Sequence, residues 1–206
     1  MNLLQFLQIF TLVTGAIYLI MQILQNKYMW YVYIPSCAAQ ACVYLMQSTW
    51  AFFALNIYYI VMGFVGIYNW KKDAAELKAE GKEKKKDSTI HLNRFTHKEL
   101  WISAAIAAIG IPAIYFAMKA LGDPNPLLDS FTTTLSIIAT WWLTRSHIQQ
   151  WFMWIIADIF AIGLNISLGN WWFVALYSFY ILSSFFGVWN WYKNGVYLAE
   201  QVPEGN

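Results

Sequence analysis

The sequence predicts an all-α integral membrane protein of seven transmembrane helices, arranged as three helices, a linker helix and three more. Three observations carry this: charge is scarce, it is crowded into one segment, and the chain repeats itself. Charged residues make up 12% of the 206, about half the share in a soluble domain, which is roughly 25%. Nine of the 13 Lys and Arg residues fall between Lys71 and Lys98. No Asp, Glu, Lys, Arg or His occurs in 1–26, 28–70, 100–118 or 159–192. A helix needs ~20 apolar residues to cross a ~30 Å hydrocarbon layer, so each stretch holds one or two crossings, and a soluble fold is excluded.

Polar interruptions and turn signals place the spans at about 3–24, 28–47, 50–70, 99–121, 127–147, 151–168 and 171–191. The first lacks the basic start and small-residue cleavage site of a signal peptide and reads as a retained helix. Gln47, Ser48 and Thr49 divide the second from the third, and Leu168, Gly169 and Asn170 divide the last two. Gly110 and Pro112 predict a bend in the fourth. The fifth carries five Ser or Thr between Ser130 and Ser136, whose hydroxyls can bond back to helix carbonyls. Segment 71–98 mixes both signs of charge with few large apolar residues and reads as a solvated helical or disordered linker that sets topology, with a lipid-headgroup or regulatory site as the alternative. With that loop cytoplasmic, the N-terminus lies outside, the C-terminus inside, and every basic residue but Lys119 is cytoplasmic, as the positive-inside rule requires.

Shifting the chain by 121 residues lays Trp30 on Trp151, Trp50 on Trp171 and Trp70 on Trp191 without a gap. Leu55 to Trp70, LNIYYIVMGFVGIYNW, then lies over Leu176 to Trp191, LYSFYILSSFFGVWNW. The shift maps spans one to three onto five to seven, and the extra fourth span gives both halves the same direction. Parallel repeats are a transporter architecture, with substrate held between the halves. The chain is thus one membrane domain, 1–206: repeat one 3–70, loop 71–98, linker helix 99–121, repeat two 127–191 and a short tail 192–206.

Candidate binding residues share helix faces. Trp151, Trp154, Asp158 and Asn165 form one stripe, and Trp30, Tyr33, Cys37 and Tyr44 occupy the matching positions, with Gln40 between them. Asn56, Tyr59, Gly63, Gly66 and Trp70 form a second face, matched by Tyr177, Tyr180, Ser184, Gly187 and Trp191; its small residues suit close helix packing. Asp158 is the acid set well inside a span, where an ionisable group is costly and marks function, although pairing with Arg145 is the structural alternative. Tryptophans beside an acid suit a flat cationic ring, while the tryptophans at span ends also suit the interfacial belt. Cys37 and Cys42 face different sides and suggest neither a disulfide nor a metal site. Phosphate-cradling and zinc motifs are missing, the three histidines are scattered, and the basic run has no interleaved aromatic platform for nucleic acid. No enzyme activity, cofactor, metal or nucleic-acid partner is expected. A retinal protein needs a lysine inside the last helix, and Lys193 lies beyond it.

Trp151 to Trp154 (WFMW) followed by Asp158, Asn56 to Tyr59 (NIYY), and the G-I-Y-N-W and G-V-W-N-W endings of spans three and seven resemble the PnuC family of bacterial vitamin transporters, over residues 4–192. The resemblance implies two parallel three-helix bundles joined by a linker helix, similar to a full-length SWEET transporter, assembled as a homotrimer among the lipids of the bacterial inner membrane. It implies facilitated uptake of nicotinamide riboside, driven by phosphorylation in the cytoplasm; rocking of one bundle against the other is expected to alternate access, and with no intramembrane proton-relay chain in the sequence no ion coupling is expected. The family's W-x-x-W falls on Trp151 and Trp154, and its N-x-x-Y on Asn56 and Tyr59. Where some members carry a further Trp this chain has Ala157 and Asp158, and thiamine or another nucleoside-like vitamin is the alternative substrate. The expected site stacks the ring near Trp151 and Trp154, offsets its charge with Asp158 and bonds its polar groups to Asn56, Gln40 and Asn190. Tyr59, Tyr44, Asn165 and Tyr180 complete it. A membrane scaffold whose aromatics only pack is the reading from another class.

Overall fold

A computed structural model describes residues 2–46, 50–82, 90–169 and 171–198. The expected divider at 47–49, Asn170, residues 83–89 of the basic loop and the tail from 199 lie outside the described residues. Within them seven α-helices form: α1 Leu3–Ile23, α2 Met29–Met46, α3 Trp50–Ala79, α4 His97–Ala120, α5 Pro126–Thr144, α6 Gln150–Ser167 and α7 Trp171–Asn194. Four of them (α1, Phe52–Ala79 of α3, α4 and α6) are long and apolar enough to cross a membrane by length and composition. Large apolar side chains stand on the outside, among them Leu12 at 65% exposure and Ile109 at 72%, as expected where the surrounding solvent is hydrocarbon.

Local chemistry fixes the helix ends. Asn2 accepts from the Gln5 amide at 2.8 Å while its own N–H donates to Gln5 Oε1 at 3.2 Å, a capping box that starts α1. Thr96 and Glu99 form the second box, at the start of α4. Thr96→Ala removes that cap and is expected to cost about 1 kcal/mol, read as a lowered melting temperature in detergent. Pro126 opens α5 at a position where no N–H is needed. In α5 the hydroxyls of Ser130 and Thr140 bond back to the helix, to Leu127 O at 2.7 Å and Ser136 O at 2.8 Å, whereas those of Thr132 and Thr134, also expected to do so, are buried without a partner among the described residues. Helix α4 continues through Pro112 and α2 through Pro35, and Gly110 lets α4 approach Thr134 of α5.

Neighbouring helices close a ring in the order α1, α2, α3, α5, α6, α7 and back to α1, while α4 lies outside against α5. Two findings depart from the sequence expectation. Helix α3 continues to Ala79, carrying the first basic residues on a helix, and two short strands form. Strand β1, Ile90–Leu92, pairs in parallel with β2, Gly195–Tyr197.

Candidate functional site

The ring encloses a cavity of about 900 Å³, within the size range of small-molecule sites. Its lining reaches Tyr44, Phe52, Asp129 and Asn165, all close to helix ends on one side of the bundle. Toward the other side it stops at Gln22, Tyr33, Trp151 and Ser184. Every residue expected to bind substrate lines it except Asn190: Gln40, Tyr44, Asn56, Tyr59, Trp151, Trp154, Asp158, Asn165 and Tyr180. The structure does not bring Asn190 to the cavity. Its amide donates to Ile23 O at 2.7 Å, tying α7 to α1, and its carbonyl accepts from Asn194.

The α6 stripe is placed by helical spacing. Asp158 is 6% exposed, with Trp154 one turn away on one side and Asn165 two turns away on the other. Arg145 does not reach Asp158; it pairs with Glu99 at 3.4 Å and lies over the Trp141 ring. Tyr177 and Tyr180 of α7 are within electrostatic reach of the Asp158 carboxyl. On the opposite wall, Tyr18 and Tyr33 approach at 4.8 Å and Tyr33 and Tyr59 at 6.2 Å, while Tyr44 stacks on Phe52 at 5.1 Å and accepts from Gln40. Asn56 gives its amide to Phe52 O at 2.8 Å. Its Oδ1, together with Thr132 Oγ1 and the indole N–H groups of Trp151 and Trp154, is buried without a partner among the described residues. Unpaired buried polar atoms are costly, and in a cavity they are the groups a bound molecule satisfies.

Sequence reasoning missed Tyr18 and Gln22 of α1 and Asp129, Thr132 and Ser136 of α5. The 121-residue shift was the available signal for α1 and α5, since it pairs these two helices as it pairs the others. With Asp129 counted, the lining holds two carboxylates and no Lys, Arg or His among the described residues.

Below the cavity lies a floor of four buried tryptophans. Trp30 meets Trp70 edge-on at 5.2 Å, Trp151 meets Trp191 at 5.6 Å, and Trp70 meets Trp191 at 6.4 Å. Trp30 lies on Gly66 and Trp151 on Gly187, where a Cβ would overlap the indole. The Trp70 N–H donates to Leu143 O at 3.0 Å, and the Trp191 N–H donates to Gln22 O at 3.2 Å and Ile23 O at 3.1 Å. Leu143 and Gln22 are themselves 121 residues apart, so each half anchors its indole on the other half's backbone.

Residues 5–193 match the family described as nicotinamide mononucleotide transporter. The chain belongs to that family. It is a family of transporters, not of enzymes. Among its relatives, the nicotinamide riboside transporter PnuC of Haemophilus influenzae is 24% identical over 89% of this chain and 90% of its own length. The protein of the same name from Neisseria mucosa is 26% identical over 66% of this chain, a match spanning about half (52%) of the relative. The riboflavin/roseoflavin transporter RibM of Streptomyces davaonensis is 25% identical over 68% of this chain and 63% of that protein. A crystal structure of the vitamin B3 transporter PnuC shares the fold, with a TM-score of 0.67 at 22% identity over 91% of this chain and 81% of that one. The chain is a multi-pass membrane protein of this transporter family.

Proposed function

We propose that the protein is a facilitator of nicotinamide riboside uptake in the bacterial inner membrane. One observation carries the reading: a ring-lined cavity with two carboxylates and no cationic side chain among the described residues, in a chain of this family. The substrate's pyridinium ring is flat and positive. Trp154 offers it a stacking face worth ~0.5 to 2 kcal/mol, Asp158 offsets its charge, and Asn56, Gln40, Tyr44, Tyr59, Asn165 and Tyr180 bond the carboxamide and ribose. Trp151 closes the bottom of the site. A phosphate on the same nucleoside would meet two acids and no base, an uncompensated charge in a poorly hydrated space.

The same reading sets the topology. Spans one to three and five to seven form two parallel bundles of SWEET-like 3+1+3 design within one membrane domain, with α4 as linker. The ring order, the position of α4 outside it and the cross-anchored tryptophans support this. The charge distribution supports a cytoplasmic 71–98 loop and C-terminus and an outer N-terminus, so the cavity faces outward and the floor seals the cytoplasmic end. Bundle rocking alternates access, phosphorylation in the cytoplasm traps the product, and three copies assemble among lipids.

Titration calorimetry on purified protein tests the substrate. Nicotinamide riboside is expected to bind, its 5′-phosphate to give no heat, and Trp154→Ala to lose binding while remaining monodisperse. Binding of the phosphate as tightly as the nucleoside overturns the reading; binding of thiamine or riboflavin alone moves the assignment to that vitamin.

A further inference from the structure

The tryptophan floor is matched between the halves, but one element lies across it once. Strand β1 and Asn93 form a short segment, with Ile90, His91 and Leu92 buried, that touches both halves. On one side Gln25 embraces it: its Oε1 accepts from His91 N at 2.7 Å and its Nε2 donates to His91 O at 2.9 Å. On the other, Asn93 N donates to Ser146 O at 3.3 Å, and Asn93 Nδ2 donates to Arg145 O at 2.9 Å and Asp73 Oδ2 at 2.7 Å. Ser146 Oγ donates to the same Asp73 oxygen at 3.1 Å. Gln25 and Ser146 are 121 residues apart, and they are the described non-glycine residues with positive φ, at 46° and 55°. The two left-handed corners that end α1 and α5 thus grip one strand from opposite sides. The His91 ring stands edge-on to Trp70 at 5.6 Å, and β2 joins the strand to the end of α7.

We propose that residues 90–93 are a strap holding the floor shut, and that release of the strap by Gln25 is the step that lets the cavity open at this end. Parting α1–α3 from α5–α7 separates the two corners, so a strap bonded to both must leave one. The second bundle holds it by backbone, through Ser146 O and Arg145 O to Asn93, the β1–β2 pairing and Leu198 N–H donating to Leu92 O at 3.0 Å. The first bundle holds it by side chains, the Gln25 amide and the Asp73 carboxylate that accepts from Asn93 Nδ2, so this side lets go. The two Gln25 hydrogen bonds bias the closed state, and their removal shifts the balance toward opening by on the order of tenfold.

The proposal depends on the transporter reading for its purpose but not for its test. In a Cys42→Ser background, Cys37, which lines the cavity, reports access of a membrane-impermeant maleimide presented to one face at a time in right-side-out and inverted vesicles. Gln25→Gly suits the positive φ of the corner, and Gln25→Asn also accepts it while its amide is too short to reach both His91 groups. Both variants are expected to raise Cys37 labelling from the face bearing the 71–98 loop about tenfold, with nicotinamide riboside affinity unchanged. Folded variants that label from that face at the parent rate overturn the strap. Failure of the parent protein to bind nicotinamide riboside removes the substrate assignment and leaves the labelling result intact.

Discussion

Asp158→Asn is expected to weaken nicotinamide riboside binding about 10- to 100-fold, the span that follows when a charged partner is lost at ~1.5 to 3 kcal/mol. The substitution keeps the shape of a side chain packed between Trp154 and Asn165 and removes its charge. Among the described residues neither Arg145 nor any other cationic side chain reaches this carboxylate, so neutralising it strands no buried base there, and the protein is expected to melt at or above the parent temperature. A second ligand sharpens the result. The ring-reduced dihydro form of the nucleoside has nearly the same outline and no positive charge, and its affinity is expected to stay within about twofold between parent and variant. Calorimetry with both ligands decides; equal losses for the two would mean that Asp158 acts by shape or hydrogen bonding and not by offsetting charge.

The second large effect belongs to the floor. Gly66→Ala and Gly187→Ala place a methyl into the indoles of Trp30 and Trp151, and overpacking of this kind costs about 1 to 3 kcal/mol. Each variant is expected to melt lower than the parent in detergent. Trp30→Phe in the Gly66→Ala background opens the space again and is expected to recover much of the loss. Gly163→Ala is the control: nothing stands within 4 Å of its Cβ position, so the helix propensity of Ala is expected to leave stability unchanged or up to ~1 kcal/mol higher. A Gly66→Ala protein as stable as Gly163→Ala would show that the floor gives way easily.

How much of this was legible in the sequence follows from the range of the interactions involved. Helix positions were readable because charge-free length is a local property, and α1, α4 and α7 begin within two residues of the expected places. The extension of α3 to Ala79 was not, because Lys71, Lys72 and Asp73 carry the charge that marks a loop at a membrane surface while being good enough helix formers to continue the turn. The lining residues on α6 were readable from spacing alone. Asn190 shared the right motif but lies nearly a turn past Gly187, where tertiary contact with the Ile23 carbonyl decides its role. Asp129 escaped notice because it stands near a helix start, where an acid is ordinary. The strap was invisible: three-residue strands leave no period to detect, and the left-handed corners at Gln25 and Ser146 carry none of the glycine that usually signals them.

The buried floor also bears on the energy economy of a cell. Trp30, Trp151 and Trp191 are at most 1% exposed and Trp70 is 3% exposed, and the Trp70 and Trp191 indoles hand hydrogen bonds to backbone carbonyls of the facing half, so the rings present apolar faces to this end of the cavity. A membrane that stores work as a proton gradient tolerates a wide, wet vestibule on one face only if the far end is dry, and these four rings are placed to supply that insulation.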